Sequence, residues 1–304
     1  MKVLITGGAG FIGSHVAEHF QGKAQVRVLD NLRTGYRRNL DGLDVEFIEG
    51  SILDREAVKR AVEGVDYIFH LAALISVPES MSKPQECVDL NVTGLLNVLT
   101  AAAEAKVTKL VLASSAAIYG NNPTVPKVET MFPEPLSPYA VTKLDGEYYC
   151  DLFTRTTSLE TACLRFFNVF GPRQDPNSAY AAAVPIFIRK ALDGQSLTVF
   201  GDGEQTRDFI YVKDIVAANV FAATTPGVTG VFNVGYGAST TINHIAGEII
   251  KAAGSASTID HQPERAGDVK HSLASVQKLT DAGFRPVSNL SEGLTATLSY
   301  FQSR

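Results

Sequence analysis

The chain has 304 residues, of which 45% are hydrophobic and 19% charged, enough apolar material for one large or two smaller buried cores. A net charge of −5 gives no reason to expect nucleic acid or an anionic membrane as partner, so an anionic ligand would need a local basic site. No apolar run reaches the roughly 18 residues of a spanning helix, the first residues hold no signal-peptide core, and Cys87, Cys150 and Cys163 lack metal-ligand spacing, as expected of a reduced, cytosolic protein.

Lys2–Thr6 reads as a strand and Phe11–Phe20 as a helix. Strands over Gln25–Leu29 and Val45–Ile48 follow, then helix Asp54–Val62, strand Tyr67–Leu71, helix Pro84–Ala105, strand Lys109–Ala113, helix Pro138–Arg155 and strand Thr161–Phe166. The strand runs are almost continuously apolar, the pattern of parallel strands covered on both faces. This alternation predicts an α/β fold, a Rossmann-type doubly wound parallel sheet. After Phe167, Pro and Gly cluster at Gly171–Pro172, Asp175–Pro176 and Gly201–Gly203. Helices over Tyr180–Asp193, Val212–Thr224, Thr241–Ala253 and Ser291–Gln302, with short strands Leu197–Phe200 and Gly230–Val234, predict a smaller α/β lobe. The expected division is 1–167, with part of 205–235 returning to it, and 168–304.

Strand one runs into Gly7-Gly8-Ala9-Gly10-Phe11-Ile12-Gly13 and then a helix. Glycines there allow a tight turn and close backbone approach to a pyrophosphate, which the helix N-terminus attracts. Strand two ends at Asp30, where a carboxylate accepts hydrogen bonds from an adenosine ribose and repels a 2′-phosphate, favouring NAD over NADP. Arg33, close behind, can accommodate that phosphate and keeps the alternative open.

Tyr139 and Lys143 lie at i and i+4 and share a helix face. A tyrosine of ordinary pKa near 10 is a poor base at neutral pH, and about 3 units, or about 4 kcal/mol, would bring it there. The lysine ammonium and the positive nicotinamide of NAD⁺ are expected to supply that. Ser114-Ser115 follow strand Lys109–Ala113, at the carboxyl edge where open α/β sheets bind ligands.

The glycine loop, the serine after strand five and Tyr-x-x-x-Lys resemble the extended short-chain dehydrogenase/reductase family. The resemblance extends through His70-Leu71-Ala72-Ala73, Asn91-Val92-Thr93-Gly94, Arg165-Phe166-Phe167-Asn168, Gly171-Pro172-Arg173 and Arg207-Asp208-Phe209-Ile210-Tyr211-Val212. It implies Tyr139 as acid/base, Lys143 as ribose ligand and tuner of the tyrosine, and Ser115 as the group orienting the reacting hydroxyl. It implies NAD contacts from Gly7, Gly10, Phe11, Ile12, Gly13, Asp30, Asn31, Leu71, Ala72, Ala73, Asn91, Ser114 and Phe166, with Asn91 stiffening the sheet or positioning a water. The family's Asp before the Ile of strand three is replaced by Ser51-Ile52, implying weaker adenine recognition.

Nucleotide-sugar dehydratases of the family carry Thr-Asp-Glu where this chain has Ser115-Ala116-Ala117, so the resemblance points to an epimerase inverting C4 of a UDP-hexose. Asn168, Arg207 and Arg265 match phosphate contacts and Asp268 a uridine ribose contact; Ser76 is implied as a sugar contact. The segments 171–178 and 265–272 look closest to epimerases acting on UDP-N-acetylglucosamine. Ser272 stands where enzymes restricted to UDP-glucose and UDP-galactose resemble one another in a tyrosine, which would leave room for a 2-acetamido group. A UDP-glucuronate 4-epimerase or decarboxylase, or a non-catalytic NAD-sensing regulator, are the alternatives; no residue set for a carboxylate at C6 stands out. The resemblance also implies a homodimer joined by the helices at 84–105 and 138–155. His15, His70 and His271 lack metal-ligand partners at suitable spacing and read as structural.

Overall fold

The computed structural model describes residues 1–176, 182–264 and 270–303. The chain begins β1 (Lys2–Thr6), α1 (Phe11–His19), β2 (Gln25–Asp30), β3 (Glu46–Glu49), α2 (Arg55–Val62), β4 (Tyr67–His70), α3 (Val77–Ser82), α4 (Pro84–Val88), α5 (Gly94–Glu104), β5 (Lys109–Ser115), α6 (Pro138–Thr156) and β6 (Glu160–Phe166). It continues β7 (Asn168–Phe170), α7 (Ala183–Leu192), β8 (Leu197–Phe200), β9 (Thr206–Arg207), β10 (Phe209–Tyr211), α8 (Val212–Thr224), β11 (Gly230–Val234), β12 (Thr240–Thr241), α9 (Ile242–Ala253), β13 (Ile259–Gln262), α10 (Gln277–Asp281) and α11 (Leu290–Gln302).

Seven strands form one sheet in the order β11-β6-β5-β4-β1-β2-β3, and the pairings from β6 through to β3 are parallel. This is the doubly wound arrangement expected from the sequence. The order reverses between β1 and β4, so the connections leave the carboxyl edge in opposite directions there and open a crevice. Both faces are covered, which is why the strands are so apolar: Val3, Leu4, Ile5, Ile68, Phe69, Leu110 and Val111 are all inaccessible to solvent. On one face α2 and α5 close a core of Val58, Ala61, Val62, Leu95, Val98, Leu99 and Ala102. Each such side chain contributes about 1.5–3 kcal/mol of burial, less for alanine.

The chain divides into two compact units. The first is Met1–Gly120, Phe132–Phe166 and Val216–Phe232; the second is Asn121–Met131, Phe167–Ile215 and Asn233–Arg304. The excursion Asn121–Met131 is not part of the division expected from the sequence. It belongs to the second unit because it pairs there: the Lys127 N–H donates to the Leu273 carbonyl and the Ser275 N–H to the Lys127 carbonyl, both at 2.8 Å. Three small parallel or antiparallel pairs, β10–β7, β12–β9 and β13–β8, complete the second unit's strands. Among the described residues no helix is long and apolar enough to cross a membrane.

Two expectations are corrected in detail. Pro84–Ala105 is not one regular helix: a π-helical segment, Asp89–Thr93, separates α4 from α5. Such widened turns frequently mark functional positions, and Asn91 sits within this one. Asp54 is the cap of α2 rather than its first residue. Its side chain accepts from the N–H groups of Glu56 at 3.0 Å and Ala57 at 3.1 Å. Asp54→Ala removes that cap, and chemical unfolding should show a stability loss of about 1 kcal/mol.

Candidate active site

The loop after β1 is built to admit something flat against its backbone. Gly7 has φ +72°, and a Cβ there would lie 2.7 Å from the Ala72 nitrogen; at Gly13 it would collide with the Gly7 carbonyl oxygen. Gly10 caps α1 with backbone only, no side chain bonds its first N–H groups, and its first turn holds no acid. Those N–H groups at Phe11, Ile12 and Gly13 are therefore donors for an anion. These residues fit a dinucleotide pyrophosphate, and Leu71, Ala72 and Ala73, half-buried after β4, flank the same crevice.

Asp30 is held at the end of β2 by two N–H groups, from Ala9 to Oδ2 at 2.9 Å and from Leu32 to Oδ1 at 2.7 Å. Each oxygen retains acceptor capacity for a hydroxyl. Burial pushes its carboxyl up against these two stabilising bonds. Arg33, the residue that kept NADP open, is drawn away: its guanidinium lies 2.8 Å from both Glu79 and Glu86. Asn31 is exposed, and its side chain accepts the Arg33 N–H at 3.2 Å. The Ser51 hydroxyl accepts the Leu53 N–H at 3.1 Å, while Ile52 is buried beneath Gly94.

At the start of α6, Pro138 has no N–H to satisfy, Ser137 Oγ accepts the Ala140 N–H, and Ser80 Oγ accepts the Tyr139 N–H, each at 3.2 Å. The Tyr139 hydroxyl is hydrogen-bonded with the Ser115 side chain, and Ser115 Oγ accepts the Ala117 N–H at 3.1 Å. Lys143 Nζ donates to the Ala113 carbonyl at 2.7 Å and stands 5.8 Å from the centre of the Tyr139 ring. The three chemistry-bearing side chains are thus together. Their electrostatics differ from the expectation: burial raises the Tyr139 phenol, and the Ser115 bond only partly offsets it. The ammonium faces Ala113 and the ring rather than the hydroxyl, and burial pushes Lys143 itself down to about 8.

Two residues expected at the cofactor do other work with their side chains. Ser114, 3% exposed, donates its hydroxyl to Glu147 at 2.6 Å. Asn91 does not stiffen the sheet: its amide exchanges bonds of 2.7 and 3.0 Å with the Leu74 backbone and donates to Thr142 at 3.0 Å, tying the loop after β4 to α6. Phe166 is buried at the end of β6. Ser76 caps α3 by accepting the Glu79 N–H at 3.0 Å. His70 is neutral, driven to about 3 by burial and bonded to Thr6.

In the second unit, Asn168 and Arg207 line one cavity of about 570 Å³, whose walls include Phe187, Val199 and Phe200 and whose polar groups include Gln205. An apolar slot beside a guanidinium suits a nucleobase joined to phosphates. The cavity residues on α7 and β8 were not singled out from the sequence; the alternation Leu197-Thr198-Val199-Phe200 ahead of Gly201-Asp202-Gly203 was the available signal. The Asp208 carboxylate accepts N–H groups from Tyr236, Gly237 and Ala274 at 2.7–3.1 Å, fixing the strand that carries Arg207; burial holds it up at about 6. The Ser272 N–H donates to Thr206 at 3.1 Å, which sets Ser272 beside Arg207. Arg265 and Asp268 lie outside the described residues.

Asp30 is held with acceptor capacity to spare and Arg33 is held by two carboxylates, which makes cofactor selectivity testable at both positions. Asp30→Ala should erase at least tenfold of the preference for NAD over NADP in a competition titration, about 1.4 kcal/mol. Arg33→Ala should leave the ratio unchanged within about twofold, because Glu79 and Glu86 already occupy the guanidinium.

Residues 3–235 match the NAD dependent epimerase/dehydratase family. A UDP-glucose 4-epimerase of Mycolicibacterium smegmatis is 35% identical over 312 residues, covering 100% of this chain and 99% of that protein. A UDP-N-acetyl-alpha-D-glucosaminuronate decarboxylase of Bacillus cytotoxicus is 35% identical over 99% of this chain and 98% of its own. Among solved structures, a UDP-N-acetylglucosamine 4-epimerase from Methanobrevibacter ruminantium, in complex with UDP-N-acetylmuramic acid, superposes with a TM-score of 0.95 at 39% identity, covering 99% and 98% of the two chains. The chain belongs to the NAD-dependent epimerase/dehydratase family, the extended short-chain dehydrogenase/reductases, and its cofactor is NAD.

Proposed function

We propose that the chain is a 4-epimerase of UDP-hexoses, interconverting UDP-glucose with UDP-galactose and UDP-N-acetylglucosamine with UDP-N-acetylgalactosamine through a transient 4-keto sugar. The observation that carries the reading is the Tyr139–Ser115 hydrogen bond with Lys143 one turn further along α6. Alanines at 116 and 117 leave no acid–base pair for eliminating water.

When bound, NAD would supply reversible hydride exchange at C4. Tyr139 takes the O4 proton in the first half and gives it back in the second, so the group ends as it began. Ser115 holds O4 against the phenol and partly offsets the burial that disfavours the phenolate, and Lys143 is assigned to the nicotinamide ribose. An oxidised nicotinamide would add positive charge that favours the phenolate. Gly7, Gly10 and Gly13 hold the pyrophosphate by backbone, and Asp30 the adenosine ribose. In the second unit Arg207 and Asn168 are assigned to the UDP phosphates, with Arg265 and Asp268 as further UDP contacts and Ser76 as a sugar contact. Ser272 leaves space at C2.

A homodimer is part of the same reading. Val88 on α4 and Val141, Tyr148 and Leu152 on α6 are exposed at 40–61%, an apolar stripe with helical spacing. The decarboxylase relative makes a UDP-uronate the second reading, in which the same C4 oxidation would labilise a carboxylate.

Tyr139→Phe should lower kcat by about 10²- to 10⁴-fold with little change in KM. The wild-type kcat should fall as pH rises past about 8, where Lys143 loses its proton. Parallel assays with UDP-galactose and UDP-N-acetylgalactosamine test substrate scope, and turnover of both is expected. Ser272→Tyr should abolish acetamido turnover and spare UDP-galactose; equal effects on both sugars would refute the role given to Ser272. Carbon dioxide released from a UDP-uronate, with neither hexose turned over, would favour the decarboxylase.

A further inference from the structure

Directly behind the catalytic group lies an ion pair that the mechanism does not use. Glu147 and Arg165 have side chains only 3% and 5% exposed and meet at 2.7 Å. The fork is bidentate: Arg165 Nε donates to Glu147 Oε1 at 2.8 Å and Nη2 to Oε2 at 2.7 Å. A buried pair of this kind is weak evidence for stability, because desolvation of both charges offsets their attraction. Its partners suggest another reason for its presence. Ser114 donates to Glu147 Oε1 at 2.6 Å, and Arg165 Nη1 donates to the Tyr119 hydroxyl at 2.8 Å. Ser114 precedes Ser115, and Tyr119 closes the short turn Ala116–Tyr119 that follows it. The pair therefore grips the chain on both sides of Ser115.

Glu147 also shares a face of α6 with Tyr139 and Lys143, at i+8 and i+4. The groups facing Lys143 are His70 from β4, Cys87 from α4, Cys163 from β6, and Tyr139 and Glu147 from its own helix. His70 is neutral, at about 3. Burial raises the Cys87 thiol and the Tyr139 phenol, and a bond with Cys150 together with burial raises Cys163 well above the usual thiol range. None of these four carries charge near neutral pH. Of these groups, Glu147 is the one that carries negative charge in its pair with Arg165.

We propose that Glu147 is a positioning residue of this site: anchored by Arg165, its carboxylate fixes the end of β5 that presents Ser115 and keeps the ammonium of Lys143 charged in a dry environment. The proposal rests on the assignment of Tyr139, Lys143 and Ser115 as the reacting group, yet its test does not require turnover.

The test is a pH titration of Lys143 by NMR in protein labelled at lysine, assigned with Lys143→Arg, in the wild type, Glu147→Gln and Glu147→Asp. In Glu147→Gln the Lys143 signal should titrate about one pH unit lower, as loss of a nearby anion in a poorly hydrated site requires. In Glu147→Asp, which keeps the charge, it should titrate as in the wild type. The alkaline limb of kcat should move down with the Gln variant, kcat at pH 8 falling about fivefold while KM stays within about twofold. If Glu147→Gln strands the buried Arg165 cation and fails to fold, Glu147→Gln combined with Arg165→Met carries the same titration and the same expected shift. An unshifted Lys143 in the folded Gln variant, or equal shifts in the Gln and Asp variants, would overturn the proposal. A Lys143 shift in a protein that turns over no UDP-sugar would leave it standing and count against the epimerase reading alone.

Discussion

The site depends on one steric constraint, the contact between the turn after β1 and the backbone after β4. At Gly7 the chain takes a left-handed conformation and lies so close to Leu71 and Ala72 that no side chain could be accommodated. That contact brings two diverging connections together at the point where the sheet order reverses. It leaves the first N–H groups of α1 facing the crevice and aligns β4 and β5 so that Thr6, His70 and Ser115 all end at one edge. A larger residue at position 7 would require β1 or β4 to move, and both the glycine loop and Ser115, the groups proposed for cofactor and substrate, are referenced to those strands.

Burial dominates the electrostatics around that edge. It raises Tyr139, lowers Lys143 to about 8 and holds His70 near 3. A site this dry disfavours charge, so the charges it needs must come from paired groups or from the cofactor. The Glu147–Arg165 pair is of the first kind; an oxidised nicotinamide, when bound, would be of the second. Burial leaves the Tyr139 phenol a weak base by itself, so the proposed mechanism ties proton transfer to the loaded state.

Much of this was legible in the sequence because it is local or periodic. The parallel sheet follows from strand runs apolar on both faces, and the glycine loop and Tyr139–Lys143 spacing follow from backbone and helix geometry over a few residues. What was not legible depends on partners distant in the chain. Nothing around Arg33 announces that Glu79 and Glu86 will bind it. Nothing around Ser114 announces Glu147, or around Lys127 the pairing with Leu273 and Ser275 that carries 121–131 into the second unit. The π segment at Asp89–Thr93 was hidden within an ordinary helical pattern, since one widened turn barely changes apolar spacing. The apolar walls at Phe187, Val199 and Phe200 were not singled out, because apolar spacing along a helix or strand does not distinguish a cavity wall from core.

Hydride removal and return at C4 is the step on which everything above converges, and it can be followed by label. UDP-galactose carrying deuterium at C4 would be incubated with the purified protein in ordinary water and the UDP-glucose formed examined by NMR and mass spectrometry. Full retention of deuterium at C4, with no label at other carbons and no net change in bound NAD, is the expected result. Replacement of the label by solvent hydrogen would mean that C4 is inverted by proton exchange, and would contradict the mechanism assigned to Tyr139, Lys143 and Ser115.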